Sequence, residues 1–130
     1  MADTGMPFSD LMGVEILERG KDRVRGRMLV RDDLCTAGGI CHGGAYMAFA
    51  DALGATGAVM NLAEGARTTT LESKTNFFAP IPVGDTAYAE CTPLHRGRTT
   101  MVWQTRITRG DGRLCALVTQ TQMVLEPRKK

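Results

Sequence analysis

The chain has almost no excess of charge, since sixteen Lys and Arg against fourteen Asp and Glu leave a net +2. Nothing in that balance demands a nucleic acid or another polyanion as partner. Basic residues do gather locally, at Arg19, Lys21, Arg23, Arg25, Arg27 and Arg31 and again at Arg128, Lys129 and Lys130. These read first as a solvated strand face and a frayed tail. The four cysteines, Cys35, Cys41, Cys91 and Cys115, form no Cys-x-x-Cys pair, so neither a zinc site nor a redox motif is expected. The opening MADTGMPFSD has no basic region followed by an apolar run, which argues against a secretory leader and for free thiols in the cytoplasm. Internal repeats, linkers and low-complexity stretches are also lacking, and residues 1–130 are expected to fold as a single domain.

What the chain does have is an apolar run of helix length, GGAYMAFADALGATGAVM, from Gly43 to Met60. A helix apolar on every side expects burial. It is long enough to cross a membrane, but its Gly and Ala content and its central Asp51 speak against that. Burying an unpaired carboxylate costs on the order of several kcal/mol. Asp51 is therefore either paired by partners distant in sequence or retained for its chemistry, and desolvation should raise its pKa and make it a better base.

Around this run the patterning is that of strands. Pro7 and Gly13 suit the start and end of a short helix. Val24, Gly26, Met28 and Val30 alternate with Arg23, Arg25 and Arg27, which predicts a half-exposed strand in a hairpin turning at Gly20-Lys21-Asp22. Residues 31–41 carry turn chemistry and lead to His42, and the helix should stop between Asn61 and Gly65. Four strands then follow, about 68–78, 86–95, 99–108 and 114–125, joined by short turn signals that predict antiparallel neighbours. The economical way to bury the helix is to wrap this sheet around it.

Cys41-His42-Gly43-Gly44 stands where loop becomes helix. The first N–H groups of a helix lack internal partners and point along a favourable dipole, and glycines let a ligand approach them closely. Such a spot suits an oxyanion or a polarised carbonyl. Asp51, nine positions after His42, lies roughly 13 Å along the same helix. Terminus and carboxylate of one chain cannot grip one substrate atom, so a second copy of the helix must supply one of them. Cys41 beside His42 suggests a thiol nucleophile only superficially, because catalytic pairs are set by spatial geometry rather than adjacency. A packed thiol is the better expectation for Cys41, an exposed side chain for His95 and a core position for Trp103. Glu72, two residues from Thr70, is expected to share its face and make a structural hydrogen bond.

These residues resemble the hotdog-fold acyl-CoA thioesterases, and most closely the branch typified by the phenylacetate-pathway and 4-hydroxybenzoyl-CoA thioesterases. The likeness rests on His42-Gly43-Gly44, Asp51 and the small residues through Ala58. It continues through Thr70-Leu71-Glu72-Ser73-Lys74-Thr75-Asn76-Phe77-Phe78-Ala79-Pro80, Gly84-Asp85, Gly97-Arg98 and Asp111 to Ala116. It implies an α+β hotdog fold, a five- to six-stranded antiparallel sheet around one long central helix, in homodimers or homotetramers. It also implies hydrolysis of acyl-CoA or aryl-CoA thioesters to free acid and coenzyme A, with no cofactor, no metal, no nucleic acid and no membrane. In that family the N–H matching Gly43 polarises the thioester carbonyl beside His42 and Gly44. The carboxylate matching Asp51 arrives from the partner as nucleophile or general base, and a hydroxyl matching Thr70 helps to place water. Gly97, Arg98, Thr99 and Thr100 fall where relatives contact the nucleotide of coenzyme A. The chain departs from the pattern at Thr36, where relatives carry Asn or Gln near the thioester, and at Ala79, where many carry a basic residue. The alternative is a non-catalytic module that holds acyl-CoA as a ligand sensor. A hydratase of the same fold is disfavoured, because Asp51 is not followed by a His at the spacing that activity uses.

Overall fold

The structure is a computed structural model that describes residues 4–128; Lys129 and Lys130 of the basic tail lie outside them. A short helix α1 (Pro7–Met12) precedes strands β1 (Glu15–Arg19) and β2 (Val24–Leu29), and the long helix α2 spans Gly43–Met60. Strands β3 (Arg67–Phe77), β4 (Thr86–Arg96), β5 (Thr100–Thr108) and β6 (Leu114–Leu125) follow. The six strands form one sheet in the order β1-β2-β4-β5-β6-β3, antiparallel throughout. Helix α2 lies across its inner face and touches all six strands.

Local chemistry explains most boundaries. Pro7 opens α1, and Gly13, at φ 82°, closes it in the left-handed conformation that a side chain would resist. The alternation in β2 is realised in full: Val24, Gly26 and Met28 are buried while Arg25, Arg27 and Leu29 face solvent. The basic stretch is neutralised on that outer face, where Arg23 meets Glu18 at 3.0 Å and Arg27 meets Glu15 at 3.2 Å. Pairs this exposed contribute little to stability and serve mainly to keep the face polar.

One expected neighbour relation does not hold. The strand ending at Phe77 was expected to pair with the one beginning at Thr86, yet β3 lies at the sheet edge beside β6, and β4 lies between β2 and β5. The intervening stretch is no hairpin turn. Pro80 and Pro82 offer no N–H to a ladder, Ile81 is fully buried, and its carbonyl accepts the Cys41 N–H at 2.8 Å. The segment crosses to the loop before α2 instead of folding back. Strand β3 is left with one open edge eleven residues long.

The core is the seam between α2 and the sheet, with Phe49, Leu53, Trp103, Ile107 and Val118 all fully buried. Each such side chain contributes roughly 1.5–3 kcal/mol through removal from water. Small residues on α2 set how close the sheet can come. A Cβ at Gly57 would sit 2.8 Å from the Trp103 ring, and one at Gly54 would fall inside the Gln120 carboxamide. Helix propensity alone favours Ala over Gly by about 1 kcal/mol. Gly57→Ala is nevertheless expected to destabilise the protein by about 1–3 kcal/mol through overpacking. A melting temperature at or above wild type would show that the ring has room to move.

Candidate active site at helix α2

His42 is the N-cap of α2, with extended backbone, and its Nδ1 accepts the Gly44 N–H at 2.9 Å. A neutral imidazole accepting at Nδ1 carries its proton on Nε2. The His42 carbonyl takes the Ala45 N–H at 2.9 Å. Of the first N–H groups of the helix, that of Gly43 has no hydrogen-bond partner among the described residues. Two apolar grooves flank it. One, of about 480 Å³, is lined by Thr36, Gly43, Tyr46, Phe77, Phe78 and Pro80. The other, of about 390 Å³, lies between Gly44 and the exposed Phe8 and Leu11 of α1. The Phe77 ring sits where a Cβ on Gly43 would come within 3.2 Å, and it meets Tyr46 edge-on at 5.5 Å. Glycine at 43 thus leaves room both for that ring and for an approaching ligand.

Asp51 belongs to neither groove. It is half-buried on α2 beside the inner faces of β3 and β6. Its Oδ1 accepts from the Thr70 hydroxyl at 2.7 Å and from Gln120 Nε2 at 3.2 Å, while no hydrogen bond among the described residues reaches Oδ2. Thr70, which the resemblance associates with placing water, is thus in contact with Asp51. Gln120 and Gln122 were missed. They occupy inward positions of β6 after Ala116 and Val118, so two polar residues in phase with a buried face were the available signal. Gly54, which admits Gln120, was a second.

The turn between β4 and β5 lies at the far end of α2. Gly97 and Arg98 border a cavity of about 360 Å³ with Asn61 and Leu62, just past the helix C-terminus. The Gly97 N–H donates to the Thr100 carbonyl, and the Thr99 carbonyl accepts from Val124 N–H, each at 2.8 Å. Arg98 has no ion pair or hydrogen bond among the described residues. Within one protomer, Gly43 and this turn are separated by the length of an eighteen-residue helix, about 25 Å. Thr36 is exposed beside Gly43, and its Oγ1 accepts from Gly38 N–H at 3.2 Å.

Two expectations are corrected or sharpened. Glu72 does not share the face of Thr70: a bulge between them leaves Leu71 without a partner and turns Glu72 outward, exposed. Cys41 is a buried thiol, and burial pushes its pKa up to about 12. That is far from the thiolate a nucleophile requires. All four cysteines are free, His95 is exposed and Trp103 is fully buried. No helix among the described residues is long and apolar enough to cross a membrane.

With this geometry in place, comparison with known proteins identifies the family. Residues 38–116 match the model of the thioesterase superfamily, and the chain belongs to it. A structure of the Mycobacterium tuberculosis protein Rv1847/MT1895 superposes with a TM-score of 0.91 at 30% identity, covering 95% of this chain and 100% of that one. The proofreading thioesterase EntH of Cronobacter turicensis is 28% identical over 104 residues, 80% of this chain and 75% of its own length. A Streptococcus pneumoniae structure described as a hypothetical thioesterase protein with coenzyme A superposes with a TM-score of 0.80 at 25% identity, over 89% of this chain and 88% of that one. The six-stranded antiparallel sheet around one long helix is the hotdog fold.

Two measurements test the local chemistry. Removing the cap acceptor in His42→Ala should cost about 1 kcal/mol in chemical denaturation, and His42→Asn should restore it. Burial raises Cys41 and Tyr46 to about 12 and Cys91 to about 11, from ordinary values of 9, 10 and 9. Their contribution is complete well below pH 9, where all three are neutral in both states. Above it the unfolded chain ionises first, so stability should fall as pH rises from 9 to 12. A flat profile across that window would contradict the assignment.

Proposed function

We propose that the protein hydrolyses acyl-CoA or aryl-CoA thioesters in a dimer or tetramer whose active sites are shared between copies. The observation that carries this reading is the division of labour along α2. A Gly43 N–H with no partner among the described residues stands at its N-terminus, and a carboxylate held by one oxygen stands about 12 Å further along. Neither can serve the other's substrate atom within one chain. Two copies running in opposite directions would bring Gly43 of one opposite Asp51 of the partner subunit. The open edge of β3 and the uncovered face of α2, where Met47 and Val59 are exposed, offer surface for that association.

In this arrangement the thioester carbonyl accepts the Gly43 N–H, which strengthens as the oxygen gains charge. Loss of one such donor typically costs about 3–4 kcal/mol of transition-state stabilisation. Asp51 either takes a proton from the attacking water or attacks the carbonyl carbon itself. The tetrahedral intermediate then expels the coenzyme A thiolate, which is protonated; on the general-base route the acid is released at once, and on the nucleophilic route water first hydrolyses the anhydride formed between Asp51 and the acyl group. General-base assistance supplies on the order of a hundred- to ten-thousand-fold. Thr70 would steady the carboxylate, with Thr36, His42 and Gly44 bordering the thioester. Gly97, Arg98, Thr99 and Thr100 would receive the nucleotide of coenzyme A, the unpaired Arg98 supplying charge to a phosphate. The reaction needs no metal or cofactor in this scheme, and we place it in the cytoplasm.

The test is thiol release from a panel running from acetyl-CoA to decanoyl-CoA with benzoyl-CoA and phenylacetyl-CoA. Wild type should turn over at least one of them, and Asp51→Asn should be inactive while melting as a folded protein. Full turnover by Asp51→Asn would remove Asp51 from the mechanism. Tight binding of the esters with no thiol released would instead support a ligand-sensing module.

A further inference from the structure

The inner face of β6 carries two carboxamides that packing does not require. Gln120 and Gln122 are each 1% exposed, in line with Ala116 and Val118 on the same face. Buried amides are expensive unless hydrogen-bonded, and an apolar pair of similar volume would fill the space at less cost. What the amides add is a directed chain of donors. Gln120 Nε2 gives one N–H to Asp51 Oδ1 at 3.2 Å and the other to Gln122 Oε1 at 3.0 Å. Gln122 Nε2 in turn donates to Thr68 Oγ1 at 3.1 Å. Thr70 Oγ1 stands 2.7 Å from Asp51 Oδ1 and 2.6 Å from Gln122 Oε1, with a single proton to give. The carboxylate is the stronger acceptor of the two, so the Thr70 proton is assigned to Asp51.

The orientation of the chain is forced. If the Gln120 amide turned over, its oxygen would face Asp51 Oδ1 and Gln122 Oε1, leaving acceptors against acceptors. Held as it is, Gln120 Oε1 is buried with no partner among the described residues, in the space left by Gly54. An unsatisfied buried oxygen in a native fold calls for a reason, and the fixed amide supplies one. Two donors converge on one oxygen of Asp51 and fix the plane of its carboxylate, and the other oxygen is left without a partner among the described residues.

We propose that Gln120 and Gln122 are positioning residues for the hydrolysis: they clamp Oδ1 of Asp51 through Gln120 Nε2, so that Oδ2 is the oxygen that acts on water or carbonyl. This rests on the catalytic reading of Asp51 above. Neither glutamine needs to touch the substrate, so the effect belongs in kcat rather than in KM. Misplacing a reacting group by about 1 Å can cost on the order of a hundredfold in rate.

The experiment measures kcat, KM and melting temperature for Gln120→Met and Gln122→Met with the panel ester that wild type turns over fastest, with Asp51→Asn alongside. Gln120→Met should lose at least tenfold in kcat, keep KM within about twofold and melt close to wild type, since loss of the orphaned oxygen offsets loss of the two donated hydrogen bonds. Gln122→Met should lose less. The double variant should fall short of the product of the two losses, because Gln122 acts largely through Gln120. A purely structural role would lower the melting temperature and disturb KM together with kcat. Wild-type kcat in Gln120→Met beside an inactive Asp51→Asn overturns the clamp and leaves Asp51 in place. An active Asp51→Asn overturns the underlying reading instead. If Gln120→Met does not fold, Gln122→Met decides, since it removes the acceptor of the second N–H without touching the Gly54 contact: unchanged kcat there also overturns the clamp.

Discussion

The structure depends on the close fit between a helix apolar on all sides and the sheet curved around it. Helix α2 has no polar face to give to solvent, so its burial must come from the sheet on one side and from whatever covers the rest. The fit is made by subtraction as much as by addition. Gly57 and Gly54 remove the Cβ atoms that would keep Trp103 and Gln120 away, and Phe77 closes over Gly43 for the same reason. Interiors packed this densely do not absorb an extra methyl group without rearrangement.

That fit also fixes the chemistry. The approach that buries Trp103 against Gly57 brings β6 near enough for Gln120 to reach Asp51, and the bulge at Leu71 keeps Thr70 turned toward the same carboxylate. A lone acid in an apolar helix is costly. Here the cost is reduced by a hydroxyl and an amide, not by an opposite charge. An ion pair would have satisfied the acid and silenced it; neutral donors on one oxygen leave the other available. At the start of the helix the logic is the same, since His42 occupies the Gly44 N–H and leaves that of Gly43 without a partner among the described residues.

The two points are tied together by the length of the helix. Because they lie on one rigid element, their separation within a chain cannot close by loop movement. A shared site is then the only arrangement in which both act on one bond. The family to which the chain belongs, and the coenzyme A held by a related structure, agree with that chemistry without specifying the acyl group.

Much of this was legible in the sequence. The span of α2, the cap at Gly13, the alternation of β2 and β5 and the inward place of Trp103 follow from periodicities and turn residues that act over a few positions. His42, Gly43 and Asp51 could be singled out because their local context, a glycine pair at a helix start and one acid in an apolar run, is itself local. The position of β3 at the sheet edge, the outward turn of Glu72 and the convergence of Thr70 and Gln120 on one carboxylate oxygen, with Gln122 behind them, could not be read that way. They depend on which strands pair and in what register, and the resulting packing joins residues as distant as Asp51 and Gln120, 69 positions apart, whose contact no neighbouring pattern encodes. The sequence by itself determined most of the elements and singled out the candidate reactive groups; the tertiary structure decided which oxygen of Asp51 is held and which has no partner among the described residues, because only packing sets the distance between a helix and a strand.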